Sequence, residues 1–210
     1  MSSHKRLAIA FDVGTTTIAG ALIDTESGAR LATSGSLNPQ RELGADVVSR
    51  LQAAVSSPGT HERLTRMINL ELERLTGEIL AAAGVGVEEL GRIAFAGNPT
   101  MEHFLLGLPV KSLAFPPYRP LFTLGKSLNT RDLGWNAAVE AYLFPLPGGF
   151  VGGDLVAFLY GAGVGDRESG TEDRLFLDLG TNGELALTHG EAIFATSAAA
   201  GPAFEGGNLA

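Results

Sequence analysis

One short pattern occurs twice in this chain, as Asp12-Val-Gly-Thr-Thr-Thr17 and as Asp178-Leu-Gly-Thr-Asn-Gly183, and each copy stands between two apolar runs of β character. The upstream runs are Leu7-Ala-Ile-Ala-Phe11 and Leu175-Phe-Leu177. The downstream runs are Ile18-Ala-Gly-Ala-Leu-Ile23 and Glu184-Leu-Ala-Leu-Thr188. A turn between two such runs closes a β-hairpin. An Asp followed by Gly and by hydroxyl or amide residues at such a turn has a clear chemical use. Glycine lets the backbone approach a phosphate, successive N–H groups and Thr hydroxyls donate to its oxygens, and the carboxylate holds hydrated Mg²⁺ against them. A single Asp-x-Gly turn is explained by hairpin conformation alone. A second copy about 165 residues later, in the same strand context, describes instead two similar lobes facing a shared ligand.

Composition narrows the class. The 210 residues are 45% hydrophobic and 18% charged, with a mean hydropathy of +0.17, which suits a globular chain long enough to bury about 70% of its unfolded surface. The formal net charge of −8 argues against nucleic acid or an anionic membrane as the main partner. There is no cysteine, so this chain supplies no disulfide, no thiol nucleophile and no Cys ligand to an iron–sulfur cluster. No stretch reaches the roughly 20 apolar residues of a membrane span, and Met1 to Arg6 does not read as a signal peptide. The expected compartment is the cytoplasm.

Residues 7–37 read as a three-stranded meander ending in Arg30–Leu37. Helical spacing follows over Asp46–Val55 and over His61–Ala83, the second closed by Gly84 and Gly86. Arg92–Ala96 reads as a buried strand, and Asn98-Pro99 caps a helix through Met101, Phe104 and Leu105, a unit consistent with parallel pairing onto the meander. Residues 109–150 hold most of the prolines and little periodicity, and read as an insertion or a surface loop with short strands. A helix opens at Gly152-Gly153-Asp154 and closes in glycines by residue 163. A polar stretch over 166–173 follows, then strands near 174–179, 183–188 and 191–197. The expected division is a first lobe over 1–163 and the beginning of a second over 164–210. A sheet without a covering layer predicts a partner or a longer protein.

This order of parts resembles the acetate kinase, sugar kinase, heat-shock chaperone and actin (ASKHA) superfamily of ATPases. The resemblance implies an α/β, ribonuclease-H-like first lobe plus the incomplete start of a similar second lobe, with Mg-ATP between them. It places Asp12, Gly14, Thr15, Thr16 and Thr17 at one end of the phosphates, and Asp178, Gly180, Thr181, Asn182 and Gly183 at the other. Asp12 and Asp178 hold the metal in this reading. Asp154 on the connecting helix either faces the same cleft, handling metal-bound or attacking water, or caps its helix.

Four longer strings are more specific: Gly97-Asn-Pro-Thr-Met101, Phe150-Val-Gly-Gly-Asp154, Leu177-Asp-Leu-Gly-Thr-Asn-Gly-Glu-Leu185 and Ala195-Thr-Ser-Ala-Ala-Ala-Gly-Pro-Ala-Phe-Glu-Gly-Gly207. Together they resemble the reductive activators of corrinoid proteins, and the likeness spans nearly all of residues 7–207. It implies ATP-dependent return of Co(II) corrinoid to Co(I), a corrinoid protein as partner, and an iron–sulfur electron donor on another domain or chain. Members of that family continue past the last string, so the chain by itself is expected to bind Mg-ATP weakly and to carry no electrons. A small-molecule kinase of the same fold and a non-enzymatic ATP-binding scaffold are the alternatives. The kinase would need a carboxylate base beside its acceptor hydroxyl, and the Asn-Asp-x-Asn-Ala string of sugar kinases is absent. The sequence leaves a homo-oligomer open.

Other residues carry less. His4, His61, His103 and His189 lack metal-ligand spacing. His103 fits either a partner contact or a partly buried polar residue. Trp135 and Phe144 fit core packing better than partner anchors.

Overall fold

The computed structural model describes residues 6–165, 173–180 and 182–199. Its main sheet has six strands, in the order Arg30–Leu37 (β3), Thr17–Asp24 (β2), Leu7–Val13 (β1), Leu90–Gly97 (β4), Glu140–Leu143 (β6) and Lys126–Asn129 (β5). The meander comprises β1 (Leu7–Val13), β2 (Thr17–Asp24) and β3 (Arg30–Leu37), and β4 (Leu90–Gly97) lies parallel to β1. Period-two alternation separates the faces: Ile9, Phe11 and Val13 point into the core, while Ala10 and Asp12 point to the opposite side.

Two helices cover the core face. Asp46 caps α1 (Val47–Ser56) through Oδ1, which accepts from Ser49 N at 2.7 Å. The long helix α2 (Pro58–Ala83) starts three residues earlier than its apolar spacing predicts, because Ser57 is the N-cap and Pro58 occupies the first turn, where its missing N–H costs nothing. Leu64, Ile68, Leu72, Leu75 and Ile79 form its fully buried stripe against the sheet.

At Gly20 the sheet meets this stripe with no room for a side chain. A Cβ there would lie 2.5 Å from Phe11 Cε1 and 2.8 Å from Ile79 Cδ1. Gly20→Ala should therefore destabilise the fold by about 1–3 kcal/mol through overpacking, read as a lower urea midpoint at unchanged m-value.

The short strands expected within 109–150 are present, and the topology places them in the main sheet. After α3 (Pro99–Leu105) and the short α4 (Lys111–Ala114), β5 (Lys126–Asn129) and β6 (Glu140–Leu143) complete the main sheet, with β6 parallel to β4 and β5 antiparallel to β6. Leu113, Trp135, Val139, Ala141 and Leu143 join the main core. Four-residue strands are too short to display a period, and prolines in the connections mask them. Trp135 packs edge-on against Phe95 and donates Nε1–H to Asn69 Oδ1 at 3.1 Å, so it belongs to the core. Phe144 is half-buried beside Tyr142 and Tyr160. His103 is fully buried rather than partly so. Its Nε2 accepts from Leu121 N at 3.0 Å, which leaves Nδ1 to donate to the Pro99 carbonyl at 2.7 Å.

The helix α5 (Gly153–Gly161) crosses to a second, antiparallel sheet of β7 (Arg174–Leu179), β8 (Asn182–His189) and β9 (Ala192–Ala199). Leu155 and Leu159 of α5 pack on Ala186 of β8, with Phe176 beside them. Among the described residues, no helix is long and apolar enough to cross a membrane. Most of the polar stretch at 166–173 and the string at 201–207 lie outside the described residues.

Candidate functional site

The two repeated patterns meet at one small cleft, lined by Asp12, Gly14, Thr15, Thr17, Asn98, Asp154, Asp178, Gly180, Asn182 and Glu184. Asp12 and Asp178 are not turn residues: each sits at the end of a strand, β1 and β7. A strand end holds a carboxylate more rigidly than a turn does, because the backbone on its N-terminal side is locked in the sheet. Asp12 lies on the alanine face, opposite the core, in register with Ala19 of β2 and Ala96 of β4. Asp178 is paired with Glu184 across β7 and β8.

The first loop is fastened from below. Asn38 Nδ2 donates to the Gly14 carbonyl at 2.9 Å, Arg50 Nη2 to the Thr15 carbonyl at 2.8 Å, and Asn38 N to the Thr16 carbonyl at 2.8 Å. In a trans peptide the N–H points opposite to the C=O. Anchoring three successive carbonyls on one side therefore turns the loop's peptide N–H groups to the other, the arrangement that cradles anions. Asn98 adds a side-chain link, donating Nδ2–H to Thr15 Oγ1 at 2.9 Å, while its own Oδ1 caps α3 by accepting from Thr100 N and Met101 N, each at 3.1 Å.

Arg50 is fully buried, with Gly44 O at 2.9 Å and Gln40 Oε1 at 3.3 Å as its other oxygen partners. Burial lowers its pKa to about 10, so the guanidinium stays charged at neutral pH.

The cleft is strongly acidic, and among the described residues no Lys or Arg lines it. Burial raises the Asp154 carboxyl to about 6, and Asp12 and Asp178 add repulsion. Burial raises Glu184 to about 8, with Asp154, Asp178 and Asp12 pushing the same way. A cleft that gathers the carboxyl groups of Asp12, Asp154, Asp178 and Glu184 concentrates negative charge, which a bound cation would relieve. Among the described residues no group of three or more His, Cys, Asp or Glu side chains is arranged to hold a metal alone.

Asp154 is not the N-cap of its helix. Gly152 takes that position, and Asp154 stands in the first turn of α5, with Oδ1 accepting from Leu155 N at 2.9 Å. Of the other residues expected here, Thr16 does not line the cleft and turns its carbonyl to Asn38, while Gly183 is buried inside β8. Thr181 lies outside the described residues. Sequence reasoning missed Asn98 and Glu184 as cleft residues, although both fall in the specific strings. It also missed Asn38 and Arg50, for which the sequence holds no signal beyond an ordinary post-strand Asn and a helical Arg.

Behind the cleft, Glu102 of α3 is fully buried, and burial, with Asp154 adding to it, raises its carboxyl to about 9. A folded-state pKa above the ordinary Glu value means that the folded chain keeps a proton that the unfolded chain gives up. Glu102 thus contributes stability that is fully present below about pH 4 and is lost as pH rises toward 9. Glu102→Gln, neutral throughout, should flatten the decline of the urea midpoint between pH 5 and pH 8. A slope equal to that of the unsubstituted protein would contradict a neutral Glu102.

Comparison with known proteins gives a consistent answer. The family model described as the RACo middle region matches residues 7–167, and that for the C-terminal domain of RACo, the ASKHA domain, matches residues 172–210. The corrinoid activation enzyme RamQ of Eubacterium limosum is 35% identical over 203 residues, covering 96% of this chain and 33% of the relative. The [Co(II) methylated amine-specific corrinoid protein] reductase of Methanosarcina barkeri is 27% identical over 209 residues, covering 94% of this chain and 37% of that protein. The solved structure of a reductive activator for corrinoid, iron–sulfur protein superposes with a TM-score of 0.90 at 30% identity, over 99% of this chain and 33% of the other. The chain spans about a third of the length of these relatives.

Two hairpin loops on separate sheets, joined by a helix and facing one carboxylate-lined cleft, define an α/β protein of the ASKHA class. Within that class the chain belongs to the RACo family, the reductive activators of corrinoid proteins.

Proposed function

We propose that this chain is the nucleotide-phosphate-binding part of a cytoplasmic, ATP-dependent activator that returns a corrinoid protein from Co(II) to Co(I). The observation that carries the reading is the convergence of Asp12, Asp154, Asp178 and the first loop on one cleft in a member of this family. Asp12 and Asp178 would hold hydrated Mg²⁺, which neutralises phosphate charge when bound. The first loop, through Gly14, Thr15 and Thr17, and the second, through Gly180 and Asn182, cradle the phosphates, and Asp154 orients the attacking water. Its raised pKa keeps part of the carboxyl population protonated near neutrality, so its capacity to accept a proton grows as pH rises through 6.

The reduction itself needs one electron per cobalt. With no cysteine on this chain, that electron comes from an iron–sulfur donor on another domain or chain. ATP turnover is coupled to the transfer through a change in lobe closure against the corrinoid protein.

The test mixes the whole protein with Mg-ATP, a low-potential reductant and a candidate corrinoid protein, and follows cobalt optically. ATP-dependent appearance of Co(I) is the expected result. Phosphorylation of a sugar or organic acid, with no Co(I) signal, would assign the cleft to a kinase instead.

A further inference from the structure

Glu102 is an acid placed where water does not reach, and none of the roles above uses it. Its Oε1 accepts from Gly97 N at 3.3 Å, and its Oε2 has no hydrogen-bond partner among the described residues. The carboxyl lies against the start of α5: a Cβ on Gly153 would collide with Glu102 Oε1 and with Phe144 Cβ. The neighbouring Gly152 is equally tight, since a Cβ there would come 2.6 Å from both Asn98 Cα and Gly97 O. The end of β4 and the first turn of α5 are therefore in contact through two glycines, with Glu102 filling the space beside the second.

We propose that Glu102 is a positioning residue, whose carboxyl accepts from Gly97 N and packs against Gly153 and so holds the first turn of α5, and with it Asp154, at the cleft. The proposal rests on the nucleotide reading of that cleft for its catalytic consequence, but not for the contact itself. Charge explains why the acid must be neutral. Asp154 already faces Asp12 and Asp178, and an ionised Glu102 behind it would add repulsion at the helix start. Burial keeps the proton on Glu102 at neutral pH. The bridge also reaches the first phosphate loop, because Asn98, next to Gly97, donates to Thr15 Oγ1. One buried side chain thus ties Asp154 to the loop on the other side of the cleft.

The test uses two readouts. In the whole protein, Glu102→Ala should lower kcat for ATP hydrolysis about tenfold while the KM for Mg-ATP changes by less than about twofold, since a misplaced water-orienting carboxylate affects the chemical step. Glu102→Gln, uncharged and of the same shape, should stay within about threefold of the unsubstituted kcat. The proposal is overturned if Glu102→Ala leaves kcat unaltered, if it raises KM alone, or if Glu102→Gln is as damaged as Glu102→Ala. Should Glu102→Ala fail to fold, Glu102→Asp, one methylene shorter, takes its place with the same expected kcat loss.

The second readout is amide hydrogen exchange in the whole protein at Val156, whose N–H bonds Gly152 O at 3.4 Å, and at Ala157. Protection there should fall about tenfold in Glu102→Ala and persist in Glu102→Gln, with amides of α2 unchanged as the reference. Unchanged protection at Val156 and Ala157 overturns the contact. Absence of ATPase in the unsubstituted protein would defeat the functional reading only, and exchange would still decide the role of Glu102.

Discussion

Asp12→Ala and Asp178→Ala are each expected to abolish ATP turnover in the whole protein, with kcat falling about a thousandfold or more, while the fold survives. Asp12 stands at the exposed end of β1 among alanines, in register with Ala19 and Ala96. An alanine there continues the existing face and opens no cavity. Asp178 is half-buried at the end of β7, opposite Glu184. Its removal takes a carboxylate away from beside Glu184, so the fold should hold while the proposed metal site loses a ligand. Steady-state ATPase assays with circular dichroism as the control for folding separate the two effects. Near-normal turnover in either variant would remove that carboxylate from the mechanism.

The largest effect on stability is expected at Arg50. Arg50→Met preserves length and apolar volume but strips the buried carbonyls of Thr15 and Gly44, and the Gln40 side chain, of their donors. Buried oxygens left without partners and the loss of charge-assisted hydrogen bonds put the cost at about 3–5 kcal/mol, measured by urea unfolding. The same change frees the Thr15 carbonyl, so the first phosphate loop loses one of its three backbone anchors and Mg-nucleotide binding should weaken with it. A loss of less than about 1 kcal/mol would show that Asn38 alone holds the loop.

These two predictions draw on different levels of information. That Asp12 and Asp178 meet at one cleft was legible, because a repeated Asp-x-Gly-Thr pattern between apolar runs implies two like hairpins. Arg50 and Asn38 were not legible. Their function depends on reaching carbonyls 24 to 35 positions away in the chain, and nothing in the residues flanking them encodes that distance. Glu184 was hidden for a related reason: its position opposite Asp178 follows from strand register, which becomes definite only when β7 and β8 pair. The short strands within 109–150 could not be placed from the sequence, because four-residue strands owe their position to pairing beside β4 rather than to their own periodicity.

By itself, then, the sequence determined the meander, the helices over 47–56 and 58–83 to within a turn, the β4–α3 unit, the two Asp-x-Gly loops and the family they belong to. Those features rest on short-range rules: alternation, capping, glycine and proline at turns, and strings of contiguous residues. The tertiary structure alone decided that β5 and β6 complete the main sheet and that Asn98 and Glu184 join the cleft. It alone decided that Asp154 enters the cleft from the first turn of α5, and that a buried Arg50 and a buried Glu102 support the site from behind. Each of those depends on chain segments meeting across long sequence separations, where burial changes what a charged group can do, and no local pattern carries that information.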